Sequence, residues 1–507
     1  MKLLKLIYVL YKIRLLSPVV LFRLSAAIYQ YGINLMALLR FSARIHGGKT
    51  AIVDERETLT YHELLVQSKA LSAVLRDKYQ LAGGKKAGVW CKNHASLVRA
   101  IFAISWAGAD LYLLNAEMSG EQLNNILETN DFDLLIYDVE RSALLERSTY
   151  PKTKILSDQE TLSIISNAQH KKQKRHWSSS GKLVLLTGGT TGKGKKASHK
   201  PSLFNYLDPF FAFLTRLQIL NYRNAYIATP IYHGYGIAVL LLFCALGKKV
   251  ILHRGFDPEK ACRIIREHQV EVVTVVPLML HKMLKTNAED LKSLSCIASG
   301  GAELSPKLAK ESLEQLGEVL YNLYGTSETG LNMIATARDL TQFPSTIGKK
   351  INGGRIKIVD DQKREVEIGR VGQLCVKNRW SMRNRTEAWI ETGDLGYRNE
   401  QGYYFLSGRA DSMIVSAGEN VYPYEVEHVL LTHPQVEDAA VIVIQDEYFG
   451  QRLKAIVVLV PQTETSKEEL HQWLQARLAR FQMPKEIVFV NHLPYTHLGK
   501  LDRKLLT

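Results

Sequence analysis

The sequence has few cysteines for its length, five in 507 residues, and none of them has the paired spacing of a disulfide framework or a zinc site. This scarcity excludes a disulfide-stapled secreted scaffold and favours a reducing compartment, so we expect a cytoplasmic protein. The chain also has no internal repeat and no low-complexity tract. Its length exceeds what one ordinary core fills, and two or more domains are therefore expected.

The first 45 residues lack an apolar run that could cross a bilayer. The longest charge-free stretch, 24–39, contains Gln30, Gly32 and Asn34 and is shorter than the roughly 20 apolar residues that a spanning helix needs. Lys and Arg also interrupt every candidate core of a secretory signal. Residues 1–45 are therefore predicted to be an amphipathic basic segment. Two interpretations stay open: a helix in peripheral contact with the inner face of an anionic membrane, or a helix packed on the protein's own body.

The chain lacks the signatures of nucleic-acid recognition, although it is strongly basic, with a formal net charge of +15. A basic balance suits nucleic acid, anionic lipid or phosphorylated ligands. No helix-turn-helix, zinc-finger or RNA-binding aromatic pattern accompanies the charge, so we expect no nucleic-acid partner. The basic run at 171–176 is interpreted as a solvated linker before a strand.

Between residue 46 and about residue 300, short apolar runs alternate with helical spacing. A helix is predicted over 58–77, with Thr60 as its cap. Strands are predicted at 87–91, 134–138, 225–230, 249–253 and 271–277. This alternation predicts an α/β fold with doubly wound parallel sheets. From residue 355 short strands and turns predict a β-rich subdomain, and the last hundred residues return to a mixed pattern, with a helix at 466–480.

The stretch TGGTTGKGKK at 187–196 has the composition of a phosphate-binding loop and follows the apolar run 183–186. Glycines let the backbone turn tightly, and successive N–H groups of such a loop form an anion-binding concavity. The Walker A pattern fails at Lys196, because that position needs a hydroxyl to hold magnesium. A flexible basic surface turn is the alternative that this stretch by itself leaves open.

Five further polar motifs punctuate the predicted strands. A Gly-bounded loop is predicted at 321–330, where the Glu328 carboxylate beside two hydroxyls suits magnesium, a hard cation that prefers oxygen ligands. Asp394 lies in a predicted tight loop at 391–396, where it can accept hydrogen bonds from a ribose diol. The other motifs are ASGGAEL at 298–304, Arg409 with Asp411 in 408–427, and Lys500 in LGKLDRK at 498–504. Any one of them by itself is more often a turn than a site.

Together and in this order, the motifs resemble those of the acyl-adenylate-forming superfamily. The stretches 253–280 and 393–427 are similar to the bacterial long-chain fatty acyl-CoA synthetases. The resemblance covers about residues 47–507. It implies an AMP-binding N-terminal domain, 46–410, of doubly wound α/β sheets plus a β-rich subdomain. It also implies a small mobile α+β C-terminal lid domain, 411–507, with Asp411 at the hinge.

The resemblance implies roles for individual residues as well. Catalytic roles fall on Lys500, Glu328, Thr190 and His233, and Glu328 is the implied magnesium ligand. The implied nucleotide-binding residues are Thr187, Gly189, Thr190, Thr191, Gly192, Lys195, Gly300, Gly301, Ala302, Tyr324, Gly325, Ser327, Asp394, Arg409 and Lys500. Tyr324 would stack on adenine, Asp394 and Arg409 would hold the ribose, and His233 would line the carboxylate pocket. The chain departs from the family pattern at Gly194, Lys196 and Ala417, where the family usually has proline, glycine and glycine.

The implied reaction is that of an AMP-forming acyl-CoA synthetase, with ATP, Mg2+ and CoA as cofactors and a medium- to long-chain fatty acid as substrate. The apolar segments 203–220 and 237–247 suit an acyl tunnel, but ordinary helix core is the more frequent explanation of such segments. Three alternatives stay open: an aryl or other carboxylic acid as substrate, a carrier-protein thiol as acceptor, and a degenerate membrane-associated binding protein. The sequence leaves the oligomeric state undetermined.

Overall fold

The structure is a computed structural model, and the chain in it folds into two compact units. The first unit comprises Met1–Val275, Lys285–Ile297 and Trp380–Asn384, and the second comprises Val276–Leu284, Ala298–Arg379 and Arg385–Thr507. The structure describes all residues except 1–6, 8–10, 12, 14–15, 149, 169–180, 188–194, 200–205, 382–387, 411–413, 417–418, 447–449, 497–498 and 507. The predicted linker at 171–176 lies outside the described residues. Among the described helices, none combines the length and the apolar character that crossing a membrane requires.

Helices of the first unit include the one predicted from the Thr60 cap. The Thr60 hydroxyl accepts the Glu63 N–H at 3.2 Å, and the Glu63 carboxylate accepts the Thr60 N–H at 2.8 Å, which confirms this helix start as a capping box. The described α-helices are α1 (Pro18–Tyr31), α2 (Leu35–His46), α3 (Tyr61–Asp77), α4 (Ala95–Ala107), α5 (Gly120–Asn130), α6 (Ser142–Glu146), α7 (Gln159–Ala168), α8 (Leu207–Arg216), α9 (Gly234–Ala245) and α10 (Pro258–His268). Helix α11 (Pro277–Asn287) begins in the second unit and ends in the first.

Largely parallel strands form the core of the first unit, which confirms the predicted α/β pattern. They are β1 (Thr50–Val53), β2 (Thr58–Thr60), β3 (Lys86–Trp90), β4 (Asp110–Leu113), β5 (Leu134–Tyr137), β6 (Thr153–Leu156), β7 (Leu183–Thr187), β8 (Lys195–His199), β9 (Asn224–Ile227), β10 (Lys249–Ile251) and β11 (Val272–Val275). One sheet has the order β6-β5-β3-β4-β7-β8, with β8 antiparallel to β7. The second set has the order β2-β1-β10-β9-β11, with β2 antiparallel to β1. Every residue of β9 and β11 is buried, as expected of parallel strands.

Antiparallel strands dominate the second unit, and they confirm the predicted β-rich subdomain and the smaller α+β C-terminal domain. After β12 (Cys296–Gly300) come β13 (Leu320–Thr326), β14 (Gly330–Ala335), β15 (Thr346–Lys350), β16 (Arg355–Val359), β17 (Gly372–Lys377), β18 (Ile390–Arg398) and β19 (Tyr404–Arg409). The C-terminal sheet contains β20 (Ile414–Ser416), β21 (Glu419–Val421), β22 (Val436–Asp446), β23 (Gly450–Leu459) and β24 (Glu486–Phe489). The helices here are α12 (Pro306–Leu316), α13 (Ala337–Gln342), α14 (Pro423–Leu430) and α15 (Lys467–Gln475). The helix predicted at 466–480 is thus present but ends at Gln475.

A buried carboxylate, Asp138, follows β5 in the first unit. His94 accepts the Leu97 N–H through Nδ1 at 3.3 Å, so its Nε2 carries the proton and donates to Asp138 Oδ1 at 2.8 Å. Asp138 also accepts from the Ser157 hydroxyl at 2.6 Å and from the Lys92 N–H at 2.8 Å. Burial by itself raises the pKa of Asp138, but these hydrogen bonds outweigh burial and hold that pKa well below its usual range.

Arg254 supplies positive charge beside this carboxylate. Its guanidinium lies 4.0 Å from Asp138 Oδ2 and 2.8 Å from Glu140 Oε1, and it also pairs with Asp158. Asp138 follows a strand of one sheet and Arg254 follows β10 of the other strand set, so the cluster ties the two together. Cys91, His94 and Asp138 place three potential metal ligands within 4.8 Å of one another. Because both ring nitrogens of His94 are already used in hydrogen bonds, we interpret the cluster as structural.

Asp138→Asn is expected to lower the free energy of unfolding of the first unit by about 3 kcal/mol at pH 7. The reason is that His94, Ser157 and Arg254 would lose the negatively charged partner around which they are arranged. The depressed pKa means that the stabilisation is complete above the unfolded-state pKa of about 4 and is lost as the pH falls toward the lower folded-state pKa. The gap between wild type and variant should therefore shrink on acidification in urea titrations. Asp361→Asn, at an exposed turn, is the control. Equal stability of Asp138→Asn and wild type at pH 7 would contradict the assignment.

Candidate active site

The predicted phosphate loop joins two antiparallel strands of the first unit. The apolar run before it forms β7, with Val184, Leu185 and Leu186 buried, which confirms the predicted strand. Thr187 is paired with Lys195 across β7 and β8, so the two residues face each other where the loop begins and ends. Four predicted nucleotide-binding residues lie outside the described residues, namely Gly189, Thr190, Thr191 and Gly192. The strand β8 was not predicted, because the sequence KKASH has no apolar signature and obtains its pairing from β7.

His233 is also in the first unit, at the residue that precedes helix α9. Its carbonyl accepts the Ile237 N–H at 3.1 Å, and its N–H donates to the Pro230 carbonyl at 3.2 Å. The imidazole lies against Tyr232, with ring centroids 4.6 Å apart. The side chain is half-buried at the start of α9.

The second unit brings Tyr324, Asp394 and Arg409 together around one carboxylate. The Tyr324 hydroxyl donates to Asp394 Oδ2 at 2.5 Å, and Arg409 Nη1 donates to Asp394 Oδ1 at 3.0 Å. Asp394 and Arg409 are directly opposite each other on β18 and β19. Burial, and then the neighbouring Asp394 carboxylate, raises the pKa of Tyr324 well above its usual value. The hydroxyl therefore stays protonated and remains a donor to Asp394 at neutral pH.

Asp394 lies on a strand and not in the tight loop that the sequence predicted. Its N–H donates to the Thr392 hydroxyl at 3.1 Å, and that hydroxyl donates to the Leu374 carbonyl at 2.9 Å on β17. Gly393 has a φ of +80°, and a Cβ there would lie 2.9 Å from Arg409 Nη2. The Thr-Gly-Asp sequence therefore makes a local irregularity within β18, and the missing side chain of Gly393 leaves room for the Arg409 guanidinium.

The motif YNLYGTSETG likewise divides into the end of β13 and a short turn before β14. A Cβ on Gly325 would lie 2.3 Å from the Gly330 carbonyl oxygen, so the close approach of the two strands requires glycine there. The turn presents Ser327 exposed and Glu328 half-exposed. Among the described residues, no hydrogen-bonding or ion-pair partner of the Glu328 carboxylate is found, which leaves its oxygens available to a cation.

Two asparagines, Asn332 and Asn378, hydrogen-bond to the backbone and side chains of this turn, and no sequence motif had pointed to them. Asn378 Nδ2 donates to the Thr329 carbonyl at 2.8 Å and to Asn332 Oδ1 at 3.1 Å. Asn332 Nδ2 donates to the Thr329 hydroxyl at 2.6 Å, and that hydroxyl lies 2.9 Å from the Thr326 hydroxyl. Thr329, Asn332 and Asn378 are all buried, so these hydrogen bonds form a satisfied polar network. The network holds the residues on either side of Ser327 and Glu328.

Lys500 lies in a turn that packs against Val276, and Gly301 approaches the same residue. Gly499 has a φ of +66°, and a Cβ there would lie 2.5 Å from Val276 Cγ2. Gly301 has a φ of +83°, and a Cβ there would lie 3.7 Å from Val276 Cγ1. The turn is closed by the Thr496 N–H, which donates to the Lys500 carbonyl at 2.8 Å. The exposed Lys500 side chain has no partner among the described residues, and its turn approaches Val276, the residue that Gly301 also approaches.

Further contacts join the C-terminal domain to the segments around Gly301 within the second unit. The Tyr424 hydroxyl donates to the Glu303 carboxylate, one residue beyond Ala302. Lys307 Nζ donates to the Val436 carbonyl at 2.6 Å. These contacts keep the Lys500 turn on Val276. The predicted hinge residue Asp411 and the departure at Ala417 lie outside the described residues.

The predicted site residues are thus distributed over both units. Thr187, Lys195 and His233 belong to the first, and Gly300, Gly301, Ala302, Tyr324, Gly325, Ser327, Glu328, Asp394, Arg409 and Lys500 belong to the second. Within the second unit, a buried aromatic hydroxyl, a carboxylate and a guanidinium meet, and the exposed Lys500 side chain belongs to the same unit. Such a set offers an acceptor for hydroxyl groups and positive charge for a phosphate.

Comparison with known protein families identifies the class of the protein. The profile of the family described as "AMP-binding enzyme" matches residues 39–384, and that of the "AMP-binding enzyme C-terminal domain" matches residues 425–500. The chain therefore belongs to the AMP-binding enzyme family, within the acyl-adenylate-forming superfamily, and is an adenylating ligase at the level of reaction class.

Several characterised relatives match most of the chain. A fatty acid–[acyl-carrier-protein] ligase, ScoC of Streptomyces coeruleorubidus, is 29% identical over 93% of this chain and 96% of its own length. A 2-succinylbenzoate–CoA ligase of Bacillus subtilis is 27% identical over 92% of this chain and 96% of its own length. A medium/long-chain-fatty-acid–CoA ligase, FadD8 of Mycobacterium tuberculosis, is 30% identical over 63% of this chain and 60% of its own length. These relatives differ in acid and in thiol acceptor.

Solved structures share the fold along nearly the whole chain. The o-succinylbenzoate CoA synthetase MenE of Bacillus subtilis, in complex with its acyl-adenylate intermediate OSB-AMP, matches with a TM-score of 0.78 and 26% identity over 93% of this chain and 97% of its own. ATP-bound MatB of Rhodopseudomonas palustris matches with a TM-score of 0.82 and 22% identity over 94% of this chain and 98% of its own. The second likeness, at this identity, concerns the fold alone.

Tyr324→Phe is expected to weaken ATP binding about tenfold, because it removes one charge-assisted hydrogen bond, about 1.5 kcal/mol, that orients Asp394. Isothermal titration of ATP into the wild type and the variant measures the change. Tyr11→Phe, at a position that is 68% exposed, is the matched control. An unchanged dissociation constant for Tyr324→Phe would show that Asp394 does not depend on this hydroxyl.

Proposed function

We propose that the protein is an ATP-dependent fatty acyl-CoA synthetase that activates a medium- to long-chain fatty acid as acyl-AMP and transfers the acyl group to CoA. The observation that supports the proposal is that the turn preceding Lys500 and the Gly301 backbone both approach Val276, in a unit that also holds Tyr324, Asp394 and Arg409. Adenylation needs these two features together: a nucleotide-binding surface and a mobile cation for the reacting phosphate.

In the first half-reaction, an oxygen of the substrate carboxylate forms a bond to the α-phosphorus, and the bond from that phosphorus to the pyrophosphate oxygen breaks. No general base is needed, because the carboxylic acid is already ionised at neutral pH. Negative charge is redistributed over the phosphate oxygens, so Lys500 would stabilise the transition state more than the ground state. Tyr324 would stack on the adenine, and Asp394 with Arg409 would hold the ribose. His233 would line the carboxylate pocket.

The donor set of the 326–329 turn fits a magnesium ion. Glu328 offers a half-exposed carboxylate without a partner among the described residues, and neighbouring hydroxyls add oxygen atoms, the ligands that magnesium prefers. Such an ion would neutralise phosphate charge. Asn332 and Asn378 would keep Glu328 in place, and the loop from Thr187 to Lys195, including Thr190, would bind the departing pyrophosphate.

In the second half-reaction, the sulfur of CoA bonds to the acyl carbon, AMP leaves with the electrons of the broken C–O bond, and the thiol proton passes to solvent.

We propose that residues 411–507 act as a mobile lid on the AMP-binding domain 46–410, with Asp411 at the hinge. Residues 1–45 would be the amphipathic basic segment that precedes this domain. The protein would act in the cytoplasm and contact the membrane peripherally.

The fatty substrate rests on the relatives ScoC and FadD8, whose names specify fatty acids, and on the apolar character of α9, most of whose residues are buried. A second candidate is a ligase that transfers the acyl group to a carrier-protein thiol, which the likeness to ScoC favours. An aryl acid is a third candidate, favoured by the 2-succinylbenzoate ligases. A degenerate binding protein is disfavoured because Glu328, Asp394, Arg409 and Lys500 are all present.

Magnesium-dependent pyrophosphate release should be measured across fatty acids of increasing length, 2-succinylbenzoate and simple aryl acids, with CoA or a holo acyl carrier protein as acceptor. We expect turnover to peak at a medium or long fatty chain and to require CoA. A peak with carrier protein would favour the second candidate, and turnover with aryl acids alone would replace the substrate. ATP binding without turnover of any acid would contradict the proposed ligase.

Lys500→Ala is expected to slow acyl-AMP formation at least a hundredfold, about 3 kcal/mol of barrier, while ATP binding changes little. The physical reason is that the ammonium acts on charge that develops only in the transition state. Single-turnover formation of acyl-AMP and ATP titration measure the two effects separately. Lys467→Ala, which removes another exposed lysine of the C-terminal domain, is the control. Equal rates in Lys500→Ala and wild type would reject the assigned role.

A further inference from the structure

Helix α1 presents a row of apolar side chains to solvent. Val19, Phe22 and Tyr29 are 56%, 75% and 79% exposed, and Ile33, two residues after the helix, is 45% exposed. Ala26 is exposed as well. The spacing of these five residues, alternately three and four, is that of one helix face. We call this row the outer face of α1.

The opposite side of α1 already has its packing partner. Val20 and Ala27 are buried against Phe41 and Ile45 of α2. Because α1 already packs on α2 through its other side, the outer face is not the side by which α1 joins the protein core. Two large aromatic rings that remain more than two-thirds exposed on a single helix are unusual without a ligand or a partner.

Helix α2 fixes α1 to the body of the first unit. The Leu35 N–H donates to the Ser105 hydroxyl at 3.1 Å, and the Ser42 hydroxyl donates to the Cys244 carbonyl at 2.6 Å. The Asn34 side chain caps α2 by accepting the Ala37 N–H at 3.0 Å. The outer face of α1 is thus carried on an anchored support.

The charged residues of the segment that contains α1 have one sign only. Residues 1–53 contain no aspartate or glutamate, and Asp54 is the first acidic residue of the chain. The basic residues of this stretch are Lys2, Lys5, Lys12, Arg14, Arg23, Arg40, Arg44 and Lys49. Arg23 and Arg44 are exposed and contact each other, with Arg23 Nη1 3.5 Å from the Arg44 carbonyl. A surface that joins exposed aromatic rings to the basic side chains Arg23 and Arg44 fits a partner that is apolar inside and anionic outside.

We propose that the outer face of α1 docks the protein on the surface of an anionic lipid bilayer. Phe22 and Tyr29 would enter the boundary between headgroups and acyl chains, and the basic residues of 1–53 would contact lipid phosphates. At 14 residues, α1 is about 21 Å long, which is shorter than the roughly 30 Å hydrocarbon layer, so it lies along the surface. A second copy of the chain fits less well, because two such basic faces repel each other. The inference gives the proposed membrane contact a defined surface and does not depend on the identity of the acid.

Sedimentation of the full-length protein with sucrose-loaded vesicles tests the docking face. Vesicles of phosphatidylcholine with one-third phosphatidylglycerol are compared with pure phosphatidylcholine, each at low and high salt. We expect binding to the anionic vesicles that weakens with salt, because exposed charges are screened. Phe22→Glu/Tyr29→Glu should lower the partition coefficient roughly tenfold or more, because it replaces inserted rings by charged groups. Wild-type protein that stays in the supernatant with both vesicle types would overturn the proposal.

The matched control carries the same added charge at another exposed apolar pair. Ile368→Glu/Val371→Glu replaces residues that are 52% and 42% exposed in the second unit, and it should bind vesicles like the wild type. Phe22→Gln/Tyr29→Gln separates lost apolar contact from added charge and should also reduce binding. Equal losses in the α1 and control pairs would overturn the proposal, since charge alone would then explain them.

Two further measurements distinguish the remaining outcomes. Thermal unfolding of each variant should match the wild type, because the substituted side chains are largely exposed. Light scattering reports oligomeric state, and a dimer that the α1 variants convert to a monomer, without vesicle binding by the wild type, would identify an interface between copies and overturn the proposal. Vesicle binding is measured without acid or ATP, so a failure of the proposed ligase activity would leave its result intact.

Discussion

The Asp394 carboxylate is the interaction on which the geometry of the second unit's candidate site depends. It accepts hydrogen bonds from Tyr324, 70 residues earlier in the chain, and from Arg409, 15 residues later. Three strands are thereby held in a fixed relation by one charged group. The arrangement is stable because each donor fits one oxygen, and because Thr392 fixes the backbone of Asp394. A ligand that approached this carboxylate would find it already oriented.

Close approaches of the backbone define the remainder of that site. Gly325 is pressed against Gly330, Gly393 against Arg409, and Gly499 against Val276, each at a distance that a Cβ would violate. These glycines let strand ends and turns approach each other closely, and the Gly499 turn and Gly301 both approach Val276. The polar network of Asn332 and Asn378 then keeps the Glu328 turn rigid. The geometry of the site thus depends on close backbone packing at glycines as much as on its polar groups.

In the first unit, a buried polar cluster connects the two parallel strand sets. Asp138 and Arg254 meet in a buried cluster, and His94 both caps α4 and donates to Asp138. Burying such charged groups costs free energy unless each of them keeps its partner. The cluster therefore favours the one arrangement of strands and helices in which all the partners meet. The N-terminal helices are anchored to the same unit through Ser42 and Leu35. Rigid attachment lets α1 present one defined face.

The sequence by itself determined the fold class, several strands of the first unit and the order of the motifs. Period-two and period-3.6 patterns and a capping box are local signals, so the helix after Thr60 and the strand before Thr187 were predicted from their own residues. The roles of Lys500, Glu328 and the loop residues from Thr187 to Lys195 remain predictions, drawn from motif likeness.

Tertiary structure alone decided which residues meet. Asp394 was expected in a loop and lies on β18, because pairing with β17 and β19 overrides the turn signal of Thr-Gly-Asp. Strand β8 exists only because β7 offers it a partner. Asn332, Asn378 and Val276 had no recognisable motif, since their contribution depends on neighbours distant in sequence. The exposed outer face of α1 likewise became visible only when its opposite side was seen packed on α2. Local patterns are encoded within a few residues, whereas contacts over long separations depend on how the whole chain packs.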